Sequence, residues 1–133
     1  MMHAVEIESA TKRFGDVNAV GDLSLSIPEG AIYGFIGPNG SGKTTTLRMI
    51  LRIIHPDQGQ IRVLGKDSLT ADNDLVGYLP EERGLYKKMK VLELLKFFAA
   101  LKGNRDGKTE ARRWLEELGL GEWGNKKVET LSK

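Results

Sequence analysis

Residues Gly37-Pro38-Asn39-Gly40-Ser41-Gly42-Lys43-Thr44 set a glycine, four further residues and then Gly-Lys-Thr. That spacing builds a pocket for a polyphosphate tail from backbone N–H groups and one long-chained positive charge. The glycines let successive N–H groups converge on phosphate oxygens without Cβ clashes. A helix starting behind the loop adds a dipole that favours anionic charge. The flanking sequence has the required order. Ala31-Ile32-Tyr33-Gly34-Phe35-Ile36 is a short apolar run bounded by Pro28-Glu29-Gly30, which predicts a buried strand. Thr46-Leu47-Arg48-Met49-Ile50-Leu51-Arg52-Ile53 carries apolar residues at helical spacing. Lys43 is placed to reach the β- and γ-phosphates, where it stabilises charge that grows during transfer. Thr44 offers its hydroxyl to Mg²⁺, and Thr45 is placed for the α-phosphate.

The chain has 133 residues, enough for one domain but short for an NTPase with a complete catalytic set. Charged residues make up 29% and apolar residues 40%, the balance of a soluble globular protein. A net charge of +2 supports no general claim for nucleic-acid binding. Lys87, Lys88 and Lys90, and also Arg112 and Arg113, read as solvated faces. With no cysteine, disulfides and thiolate metal sites are excluded. The apolar runs fall far short of the ~20 residues that a membrane span needs. The N-terminus alternates like a strand and does not resemble a signal peptide.

Val5 and Ile7 alternate with Glu6 and Glu8, predicting an edge strand, and 11–16 reads as a turn-rich link. Leu23, Leu25 and Ile27 predict a second antiparallel strand that Pro28 ends. His55-Pro56-Asp57-Gln58-Gly59 stops the first helix. Ile61–Gly65 and Leu75–Leu79 predict further strands. Val91–Leu101 predicts a helix apolar over much of its circumference. Ala111, Trp114, Leu115 and Leu118 mark one face of another helix, capped by Gly119. A second Gly-Lys-Thr at Gly107-Lys108-Thr109 follows a helix instead of a strand and reads as an interhelical turn.

The inner loop sequence Gly-Pro-Asn-Gly-Ser-Gly-Lys-Thr-Thr resembles the nucleotide-binding domains of ABC transporters, and the resemblance extends along nearly all of the chain. It implies an α/β fold: a P-loop NTPase core with an antiparallel β subdomain and a small helical subdomain. The first two would occupy 1–84 and the helical subdomain 85–133. Lys12-Arg13-Phe14-Gly15 resembles the stretch that supplies an aromatic ring to adenine, which makes Phe14 the base platform and Val20 its neighbour beside the ribose. Together with Gly37, Pro38, Asn39, Gly40, Ser41, Gly42, Lys43, Thr44 and Thr45, these residues would hold ATP. Val76–Tyr86 resembles the Q-loop, with Glu81 where the family usually has Gln. Either Glu81 joins Thr44 as a Mg²⁺ ligand, or it faces away and Arg83 neutralises it.

Leu131-Ser132 resembles the start of the family's signature, with Lys133 where its first Gly stands. No later apolar strand ending in Asp-Glu follows, so the fold is expected to stop before the Walker B strand. It would then lack the catalytic Glu and the switch His. General-base assistance is typically worth ~10²–10⁴-fold. The expectation is weak nucleotide binding, negligible hydrolysis, and marginal stability or association through an open sheet edge. In a full-length parent the implied partners are a membrane permease and a second nucleotide-binding domain packed head to tail, with no nucleic acid. The implied location is cytoplasmic, on the inner face of the membrane. Two readings stay open beside this one: a soluble ABC-type ATPase acting on ribosomes or DNA, and a non-catalytic nucleotide-binding module.

Overall fold

Strand β1 takes His3–Phe14 and strand β2 takes Val17–Pro28, with Gly15-Asp16 turning the chain between them. The computed structural model describes residues 2–67, 75–80 and 84–131. Gln58–Val63 forms β3, and the short β4 is Lys66–Asp67. All pairings are antiparallel, in the order β2-β1-β3-β4. The first strand is therefore central and not at an edge. One covered face produces the same alternation in either position, so the pattern could not separate them. Residues 11–14, expected in a link, belong to β1, because Gly15-Asp16 suffices for the turn.

An extra residue near Ser9 shapes this sheet. Ile7 and Ala10 face Leu25 and Leu23 on one side, while Glu8 and Thr11 face Gln60 and Gln58 on the other. Both neighbours advance by two where β1 advances by three, which is a bulge with Ser9 at φ 45°. The bulge resets the alternation, so Ile7 and Ala10 both enter the core. A second irregularity lies in β2 at Gly21-Asp22, where the Asp22 N–H donates to Thr11 Oγ1 at 3.1 Å.

Helix α1, Lys43–Ile50, covers the apolar face. Its Met49 is fully buried with Ile7, Ala10, Val20, Ile61 and Val63, and Ile50, Ile54 and Val76 close the margin. The opposite face is polar. Arg62 on β3 pairs with Glu6 and Glu8 on β1, and His3 Nδ1 lies 2.9 Å from Glu6. His3, then Arg62, hold the Glu6 carboxyl below the usual carboxylate range.

Residues 31–36 and 75–79 are not strands. Ile32 and Ile36 are 104% and 99% exposed. A buried parallel strand needs neighbours on both sides for its N–H and C=O groups, and no described strand pairs with either run.

The chain divides into two compact units, Met1–Tyr78 and Leu79–Lys133. In the second, α2 is Val91–Leu101 and α3 is Gly107–Glu117. Val91, Leu94, Leu115 and Val128 form its core. The expected turn at Gly107-Lys108-Thr109 is in fact the first turn of α3. Gly107 is buried so close to α2 that a Cβ there would lie 2.7 Å from that of Ala99. Only Ala111 and Leu115 of the expected face are buried, while Trp114 and Leu118 are exposed. The positions 107, 111 and 115 repeat at four-residue spacing and pack inward, which leaves 114 and 118 to the side. Gly119, at φ 69°, ends the helix in a Schellman motif: its N–H donates to Glu116 O, and that of Leu120 donates to Leu115 O at 2.6 Å. Lys90 and Lys127 bridge the flanking segments, and Lys87, Lys88 and Lys90 are exposed. No described helix is long and apolar enough to cross a membrane.

Candidate functional site

The loop from Gly37 enters α1 through Gly42, whose backbone is left-handed at φ 88° and ψ 1°. Its Cα faces β2 so closely that a Cβ would stand 2.5 Å from the Ala19 carbonyl oxygen and 3.2 Å from Val20 Cγ2. Glycine is required on both counts. Within the loop, the Ser41 N–H donates to Pro38 O at 3.3 Å, and Gly40 is also left-handed at φ 82°.

Lys43 opens the helix and turns back across the loop. Its Nζ donates to the carbonyl oxygens of Gly37 and Pro38, each at 2.6 Å, and approaches Ser41 Oγ at 3.3 Å. The ammonium is thus held at the loop by acceptors of the loop itself. Thr44 is exposed in the first turn and Thr45 is half-buried. Thr46 is buried, and both its N–H and its Oγ1 donate to Gly42 O, at 2.8 and 2.9 Å. This residue was read only as the start of the helix; its hydroxyl fastens the loop to α1.

Phe14 ends β1 and is 51% exposed. It pairs with Val17, and Ala19, the residue that braces Gly42, lies two positions further along β2. At ~3.4 Å per residue the ring and the loop are rooted roughly 7 Å apart along that strand. Val20 lies in the sheet core, at 8% exposure, with its Cγ2 toward Gly42. Glu81 and Arg83 lie outside the described residues, as do Ser132 and Lys133.

Two residues beside Phe14 were not singled out in the sequence. Asp57 accepts from Lys12 Nζ at 2.7 Å and from the Arg13 N–H at 2.8 Å. The Lys12 bond, then the Arg13 N–H, hold the Asp57 carboxyl below its usual range. Lys12 Nζ stands over the Phe14 ring, 5.6 Å from its centroid. In the sequence Asp57 served only as part of a helix stop; its partners lie more than forty positions upstream, and no local signal connects them.

A glycine-rich loop running into a helix, set against an antiparallel sheet, defines an α/β P-loop NTPase core with an attached β subdomain. The model of the family described as ABC transporter matches residues 20–133. The chain belongs to the ABC transporter family. It is 47% identical over 129 residues to the uncharacterized ABC transporter ATP-binding protein YhaQ of Bacillus subtilis, covering 96% of this chain and 43% of that one. It is 40% identical to the uncharacterized ABC transporter ATP-binding protein MJ1023 of Methanocaldococcus jannaschii, covering 100% and 48%. The bacitracin transport ATP-binding protein BcrA of Enterococcus faecalis is 34% identical, with 90% and 40% covered. A crystal structure of a nucleotide-free ATP-binding cassette from an ABC transporter superposes with a TM-score of 0.79 at 27% identity, covering 98% of this chain and 60% of that one. The chain spans about half the length of the curated relatives it matches.

Proposed function

We propose that this chain holds ATP as part of the ATP-binding subunit of an ABC transporter. The observation that carries this reading is the loop at the head of α1, with Gly42 pressed on Ala19 and Lys43 Nζ at the Gly37 and Pro38 carbonyls. The donor set suits a triphosphate with Mg²⁺. Backbone N–H groups of Gly40–Thr45 and the helix N-terminus take phosphate oxygens, and Lys43 supplies the cation. Thr44 offers an exposed hydroxyl to the metal. When bound, Mg²⁺ neutralises charge on the β- and γ-phosphates. Glu81 is proposed on the metal side. Phe14 takes the base by stacking, and Val20 supports the ribose side from the core.

In this reading, 1–84 carries the P-loop core and β subdomain, and 85–133 the helical subdomain. The whole protein would pair two such domains head to tail, so that ATP binding and hydrolysis drive a membrane permease from the cytoplasmic face. Nucleic acid has no part in it. The test is equilibrium dialysis of the chain with ATP and Mg²⁺. Lys43→Ala is expected to lower affinity at least about tenfold, the weight of one charge-assisted contact set. Equal binding by the unmodified chain and the variant would overturn the reading.

A further inference from the structure

We propose that Asp57 is a positioning residue for the base platform, its carboxylate fixing the end of β1 so that Phe14 is held in place relative to the phosphate loop. This rests on the reading of Phe14 given above. The last pair between β1 and β3 is Thr11 with Gln58, so Lys12, Arg13 and Phe14 are paired only with β2. A two-stranded ribbon is at best marginally stable in water. Asp57, directly before β3, continues the ladder with its own groups. Its N–H donates to Thr11 O at 2.8 Å, and one carboxylate oxygen accepts the Arg13 N–H at 2.8 Å. The other accepts Lys12 Nζ at 2.7 Å, and the same ammonium stands over the Phe14 ring. Asp57 therefore anchors the three residues ahead of the ring and sets the cation against it.

The anchor lies on the same helix–turn segment as the phosphate loop. Gly42 enters α1 braced on Ala19 of β2, and the chain leaving α1 reaches Asp57 through Pro56. The phosphate loop leads into α1 at Lys43, and Asp57 follows seven residues after its last residue, Ile50. Holding the ring in place before binding spares the ordering cost on binding. Aspartate suits the position because it takes a backbone N–H and an ammonium together. Asparagine keeps an acceptor for Arg13 but loses the ion pair, and alanine loses both.

The experiment compares ATP with inorganic tripolyphosphate, which has the phosphates and no base, on the chain and its variants. Phe14→Ala is expected to lower the ratio of ATP to tripolyphosphate affinity by about 5- to 150-fold, the range of base–aromatic stacking. Asp57→Ala should lower the same ratio about two- to tenfold, in each case by less than Phe14→Ala does, and Asp57→Asn by less again, as fractions of that stacking contribution. A ratio unchanged in both Asp57 variants while Phe14→Ala lowers it overturns the positioning role and leaves the nucleotide reading standing. Equal losses for both ligands in Asp57→Asn would mean a general structural role and also overturn the proposal. A ratio unchanged in Phe14→Ala removes the ring from the site, and the proposal with it. The asparagine variant decides the matter if the alanine variant does not fold.

Discussion

The Ala19 carbonyl of β2 lies where a side chain at Gly42 would have to stand, 2.5 Å from an ideal Cβ. This contact joins the phosphate loop to the sheet, and with φ at 88° it admits only glycine. Gly42→Ala is expected to cost about 2–5 kcal/mol, the sum of a left-handed alanine and an overpacked contact. ATP affinity should fall with it. Urea titration measures the first, and an unchanged midpoint would mean the loop is not braced on β2.

Gly59 answers the bulge in β1. At φ 81°, a Cβ there would collide with the carbonyl oxygens of both Glu8 and Ser9. Neither atom can swing aside, because both are backbone within a paired strand. Gly59→Ala should therefore lose about 2–4 kcal/mol in the same titration. A loss below that of an ordinary exposed glycine would remove the bulge as its cause.

Leu64 and Gly65 link β3 to β4 with φ of 51° and 72°, between the paired Val63 and Lys66. Positive φ at both central positions is a type I′ turn, which favours Asn at the first. Leu64 is 39% exposed, so asparagine gives up the covered part of its surface. The turn preference offsets that loss, and Leu64→Asn is expected to leave stability within about 1 kcal/mol of the unmodified chain. A melting temperature lowered by more than about 6 °C in calorimetry would contradict this.

Asp57 and Glu6 both have carboxyls held below their usual range, the first by Lys12 and the Arg13 N–H, the second by His3 and Arg62. Each titrates lower in the folded than in the unfolded chain. Its contribution is fully present above the ordinary carboxylate range and is lost as pH falls through the lowered value. Stability should hold at neutral pH and decline below about pH 4. Asp57→Asn combined with Glu6→Gln should flatten that acid slope. An identical slope in the double variant would assign it to other groups.

Legibility in the sequence followed the range of the physics involved. Val91–Leu101 appeared at its correct bounds because helical periodicity is local. The cap at Gly119 was equally local. Val5–Ile7 looked like an edge strand, since alternation reports a covered face but not the number of neighbours. The bulge at Ser9 left no pattern of its own, because an extra residue becomes visible only against the two strands it faces. Trp114 was assigned to a buried face that Gly107, Ala111 and Leu115 occupy, since the close approach to Ala99 chooses the side of α3.

For the proposed site, the reading of Gly37–Thr45 as a phosphate loop rests on sequence alone. Backbone N–H groups and one lysine can gather around phosphate only with glycines at that spacing, and the constraint lies within nine consecutive residues. Tertiary structure alone decided what holds the loop and the ring in place. The Ala19 carbonyl against Gly42, and the Asp57 carboxylate against the Lys12 ammonium and the Arg13 N–H, join residues far apart in the chain through contacts that no local pattern encodes. Those contacts exist only once the sheet register and the course of α1 are set.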